Sequence, residues 1–127
     1  MNDINNREDI DKLVRRFYEQ ATGDEVIGHY FTSVIPIDWS HHIPTIVSFW
    51  ENVLFSTGAY KGGMLLKHMN LDQLSAFQTA HFDRWLMIWN ETVDTLFLGE
   101  RANEAKFRAA SIAMIMQTKL GIYERER

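Results

Sequence analysis

Between Ala80 and Phe97 the apolar residues Phe82, Trp85, Leu86, Trp89, Val93 and Leu96 recur at intervals of three and four. That spacing makes one face of an α-helix apolar and leaves the other polar. Ile10, Leu13, Val14, Phe17 and Ala21 repeat the pattern within a segment from Asn6 to about Thr22, where Gly23 supplies a stop. No stretch alternates in the manner of a strand, so apolar faces must be buried helix against helix. The expectation is an all-α fold of about six helices. At 127 residues the chain fits one domain, 1–127, with 1–5 and 122–127 expected to fray.

The remaining helices follow from local signals. A short helix is expected from Glu25 to Phe31, turning at Pro36. Asp38 or Ser40 caps the next, and Pro44 is tolerated in its first turn, which sets the start near Ser40. Ile46, Phe49, Trp50 and Val53 form its stripe, ending around Ser56 to Gly58. Tyr60 to Gly63 reads as a glycine-rich loop, Met64 to Met69 as a brief helix, and Leu71 to Thr79 is ambiguous. Ala102 to Leu120 supplies the final helix, before Gly121 and a charged tail.

Composition excludes several classes of function. A net charge of −4 gives no basic face for nucleic acid or anionic lipid, and no stretch approaches a membrane span. With no cysteine there are no disulfides, thiolate sites, iron–sulfur clusters or covalent haem attachment, so any metal falls to His, carboxylate or water. The start of the chain carries no secretory pattern, and a cytoplasmic location is the default. Four Trp, four Tyr and eight Phe suit a flat pocket or an aromatic core.

Each of the five histidines can be weighed by its helix face. His68 follows Met64, Leu65 and Leu66 in a short apolar segment behind flexible glycines, a place for an axial ligand or for a half-buried structural imidazole. His42 stands four before Ile46 and seven before Phe49 on the apolar stripe, whereas His41 aligns with Thr45 and Ser48 on the polar side. His81 begins a helix, where a neutral capping imidazole is favoured, and it is the reserve metal ligand. His29 is expected at the surface. Tyr18, beside Phe17, either covers the core or lines a pocket. Trp85 lies on a buried stripe, and its indole N–H needs an acceptor.

Taken in order, these residues resemble the third group of truncated haemoglobins. The matching elements are Phe17-Tyr18, Phe31, Trp39 through His42 with Ile46 and Phe49-Trp50, Tyr60-Lys61-Gly62, His68 with Leu71, and His81 through Leu86 with Thr92-Val93-Asp94. They span roughly residues 10 to 115. The resemblance implies a shortened globin, two helices over two, around a non-covalent haem b. It maps the proximal iron ligand to His68, the distal residues to Tyr18, His42 and Trp85, and the aromatic on the haem face to Phe31. Helix-face reasoning adds Ile46, Phe49, Leu65 and Phe82 as pocket walls. Lys67 and Tyr60 are the choices for pairing with haem propionates.

The function so implied is binding of O₂, CO, NO or related small ligands in a polar distal pocket, for sensing or scavenging at low oxygen. Tyr O–H, Trp N–H and His N–H are donors suited to a ligand that gains negative charge. At roughly 0.5–1.5 kcal/mol each, two or three such bonds slow ligand escape by one to a few orders of magnitude, which argues against delivery. The alternative is a redox enzyme, converting NO with O₂ or reducing peroxide. Nothing in the chain resembles a flavin or nicotinamide module, so that chemistry needs a separate reductase. A helical interaction domain without haem is the third reading, and it predicts a colourless protein. A monomer is expected, with a dimer as the alternative.

Overall fold

Asn6 starts the first helix, its side chain accepting a hydrogen bond from the Asp9 amide at 2.9 Å, and α1 runs from Arg7 to Ala21. The computed structural model describes residues 1–58, 60 and 62–127; Lys61, part of the family resemblance, lies outside the described residues. After α1 the chain does not enter a helix at Glu25 as expected. The Asp24 carboxylate accepts from the amides of Val26 and Ile27 at 3.0 and 3.1 Å, which captures them in a turn. Helical geometry is delayed to α2, His29–Thr32.

Helix α3 spans Trp39–Phe55, with Asp38 accepting from the Ser40 amide and hydroxyl. Because the helix begins at Trp39, Pro44 falls in its second turn rather than its first. Its missing N–H costs the helix the bond to the Ser40 carbonyl, yet the helix continues because its core face is well buried. That face is Ile43, Val47, Trp50 and Leu54, which shares Trp50 with the expected stripe but is otherwise rotated from it. Ile46, Phe49 and Val53 lie beside it and are partly buried.

The chain then turns with positive φ at Gly62 (96°) and Gly63 (94°), conformations that favour glycine. Helix α4, Met64–Leu74, is longer than expected and absorbs part of the ambiguous stretch. Helices α5, Thr79–Leu96, and α6, Glu100–Leu120, match their periodic segments closely and pack against each other. α5 also packs on α1, and α1 on α3. The core lies among these four helices, where Trp50 and Trp89 stack with ring centroids 4.5 Å apart. Among the described residues there is no strand, and no helix is long and apolar enough to cross a membrane.

Both ends of the chain are tied down, contrary to the expectation of fraying. Ile4 is fully buried, and the Asp3 carboxylate accepts from the amides of Arg101 and Ala102 at 3.0 and 2.9 Å, capping α6 from a distant part of the chain. A Cβ at Gly99 would collide with the Asp3 side chain. At the other end α7, Ile122–Arg125, buries Ile122 completely. Arg125 forms a bidentate pair with Asp72 at 2.7 and 2.9 Å and donates to the Phe77 carbonyl at 2.7 Å, while Glu126 accepts from the Thr79 amide and hydroxyl. Pairings at such sequence separation leave no local trace in composition.

Candidate functional site

Helices α1 to α6 all contribute to the walls of a cavity of about 370 Å³, within the range of small-molecule and cofactor sites, roughly 300–1,000 Å³. Its walls are mostly apolar. α3 contributes Ile46 and Phe49, α5 contributes Phe82 and Trp85, and Phe31 comes from α2. Among the polar groups that line it are His68, with Lys67 and Asn70, from α4, His81 from α5, and Tyr18 with His42 from α1 and α3.

His68 is half-buried, and its Nδ1 lies 2.8 Å from the carbonyl oxygen of Met64, one turn earlier. A carbonyl accepts only, so Nδ1 must carry the proton and donate. In the neutral ring the lone pair is then on Nε2. A metal-ligating histidine has this arrangement, in which the second nitrogen donates to a backbone carbonyl that fixes the tautomer and ring direction. Burial lowers the imidazole's pKa below its ordinary value, with the Met64 bond opposing, which favours the neutral form a metal requires. Phe77, whose ring is tilted 30° to the imidazole with centroids 5.9 Å apart, backs it.

Tyr18 and His42 meet across the cavity end, with the Tyr18 hydroxyl 2.9 Å from His42 Nε2. Burial pushes the phenol's pKa well up and lowers that of His42, to which the nearby positive charge of Lys67 also contributes. Both are neutral at pH 7. Phe17, Phe31 and Trp39 surround the Tyr18 ring edge-on at 5.1–5.4 Å between centroids. Trp85 stacks beside Trp89 and edge-on to Phe17, and its indole N–H donates to no group among the described residues.

Of the sequence-derived site residues, the cavity gathers His68, Phe31, Ile46, Phe49, Phe82, Trp85, Tyr18 and His42. Leu65 is the exception: it packs against the cluster that contains Tyr30, Phe77 and Phe82 and does not line the cavity. Helical phase explains this. Met64, Lys67, Leu71 and Leu74 lie to one side of His68 and face the cavity, whereas Leu65 projects from the other side. Spacing from His68 pointed to Met64 and Leu71 as well, so a stricter reading of phase would have chosen them. Ile35 and Ile37, flanking Pro36, were also missed, because an irregular segment has no periodicity to read.

His81 Nδ1 accepts from the Gln78 amide at 2.9 Å and so caps α5, as expected, leaving His68 as the imidazole with an undedicated ring nitrogen on this side. His29, expected at the surface, is half-buried against Tyr30 with ring centroids 4.2 Å apart.

The fold and cavity define a small helical protein of the truncated-globin class. No protein-family model matches the chain. It is 32% identical over 121 residues, 93% of each sequence, to a group 3 truncated haemoglobin of Campylobacter jejuni. Against the crystal structure of a group III truncated haemoglobin from Campylobacter jejuni the TM-score is 0.83 at 31% identity, covering 97% of this chain and 98% of that one. The chain belongs to the group 3 truncated haemoglobins, a membership that implies haem-based binding of small gaseous ligands.

Proposed function

We propose that this protein holds haem b in the cavity through His68 Nε2 and binds O₂, CO or NO on the side of Tyr18, His42 and Trp85, as a low-oxygen sensor or scavenger. The observation that carries the reading is the His68 hydrogen bond: a proton committed to the Met64 carbonyl leaves one lone pair available to iron. The donor set fits the group: the walls are mostly aromatic and aliphatic, and of the three imidazoles that line them His42 is paired with Tyr18 and His81 accepts from the Gln78 amide, which leaves His68 to meet iron. Phe31, Ile46, Phe49 and Phe82 would contact the ring, and Lys67 and Tyr60, which also line the cavity, would meet its carboxylates.

When bound, the haem supplies iron for reversible ligation of a diatomic molecule. This chain's own residues supply the donors. If the shared proton in the Tyr18–His42 pair belongs to His42, Tyr18 accepts it and its own hydroxyl proton is free to point into the cavity; Trp85 N–H has no acceptor among the described residues in either case. The same neutral pair is a proton donor and acceptor side by side, which supports a second reading as an NO-converting or peroxide-reducing enzyme with an external reductase.

Absorption spectra of the ferric, ferrous and CO-bound purified protein test the haem assignment, and His68→Ala is expected to abolish tight haem retention. An unchanged visible spectrum in that variant refutes the proximal assignment. Rapid mixing of the oxygenated form with NO, and of the ferric form with peroxide, separates binder from enzyme.

A further inference from the structure

Trp39, the first residue of α3, does not line the cavity, yet its indole touches both polar groups at the distal end. Its ring centroid lies 5.1 Å from that of Tyr18 with the planes at 66°, and 5.5 Å from that of His42 at 89°. Both are edge-to-face contacts, the arrangement that aromatic quadrupoles favour. Trp39 and His42 are three residues apart, so the two side chains share a face of the first turn.

The two polar partners are not equally constrained. Tyr18 is also held edge-on by Phe17 and Phe31. Among the described residues His42 has ring contacts with Tyr18 and Trp39 alone. It stands in a helix start whose ladder is interrupted two residues later by Pro44. With the tryptophan gone, the imidazole would keep only its contacts with Tyr18, one ring edge and one hydrogen bond, and a partly exposed ring can exchange that bond for water.

We propose that Trp39 is a positioning residue: packed edge-on against Tyr18 and His42 together, it holds the pair in one mutual orientation and so presents a single arrangement of donors to the cavity. This rests on the haem reading above. It assigns selection of distal geometry to a side chain that never meets the ligand.

The C–O stretch of the CO-bound protein reports the field at the ligand, and each distal arrangement gives its own band. Trp39→Ala is expected to redistribute the wild-type band pattern toward additional bands and to speed O₂ release by about 2- to 13-fold, the loss of one neutral hydrogen bond. Trp39→Phe keeps an edge contact and should restore the wild-type pattern. Trp39→Leu fills space without a ring; should the alanine variant fail to fold, the leucine variant is expected to show the same redistribution. Wild-type bands and wild-type release in both the alanine and leucine variants overturn the proposal. If Tyr18→Phe and His42→Leu shift the bands and Trp39 variants do not, only the Trp39 inference fails. If none shifts them, the distal reading itself fails.

Discussion

Replacing Tyr18 by Phe removes one oxygen and leaves the ring with its edge contacts to Phe17, Phe31 and Trp39. The change therefore isolates the hydroxyl and its 2.9 Å bond to His42. Burial keeps both groups neutral at pH 7, so the bond is a neutral one, worth about 0.5–1.5 kcal/mol. Leaving His42 Nε2 unpaired would add up to about 3 kcal/mol if the imidazole were sealed from water. It is only partly buried, so water can take the vacated place and the upper figure is not reached. A net loss of about 1 kcal/mol follows, seen as a fall in melting temperature of roughly 3–5 °C for a chain of this size. On the ligand side, losing a donor should speed O₂ release about 2- to 13-fold. Chemical denaturation and stopped-flow displacement of O₂ by CO read the two effects separately. Unchanged stability would remove the hydrogen bond, and unchanged release would remove Tyr18 from the ligand's surroundings.

Arg125→Ala should lower stability by about 1–2 kcal/mol in urea denaturation, a figure discounted because the Arg125 side chain is 41% exposed. Arg125→Lys should recover only part, since an ammonium lacks the fork that meets Asp72 with two nitrogens; an alanine variant as stable as wild type would refute the clamp. Acid should destabilise the protein in two windows. Burial lowers His42, with Lys67, His41 and His68 adding, and lowers His81, with His29 adding and Glu126 opposing. The unfolded chain therefore takes up these protons first, and stability, fully present above about pH 7, falls as pH drops below about 6.5. The Arg125 hydrogen bonds hold the Asp72 carboxyl below its ordinary value, so its contribution is present above about pH 4 and is lost as pH falls further. Urea midpoints that stay flat between pH 7 and 5 would refute the histidine assignment.

The choice between His41 and His42 was legible because it is a question of helical phase: a single residue, about 100° around the axis, separates the face with Ile46 from the face with Thr45. Leu65 fails on the same principle, since phase is blurred in a short helix that is apolar nearly all round at its start. The delayed start of α2 was missed because the Asp24 carboxylate, two residues before the Val26 amide, competes with the helix through a side-chain bond that periodicity does not register. His68 was legible as a buried imidazole, but its bond to the Met64 carbonyl, which decides which nitrogen is free, depends on the rotamer that α4 adopts in its packed place.

Sequence by itself determined the helices and their apolar faces, because 3.6-residue periodicity acts over neighbours along the chain. It also determined, through the absence of cysteine, that no thiolate can meet a metal. Tertiary structure alone decided that Tyr18 meets His42, that Asp3 caps α6, and that Arg125 and Glu126 lock the corner beneath His68. These contacts join residues 24 to 99 positions apart, and a hydrogen bond over that span exists only after the helices have packed and brought its ends together.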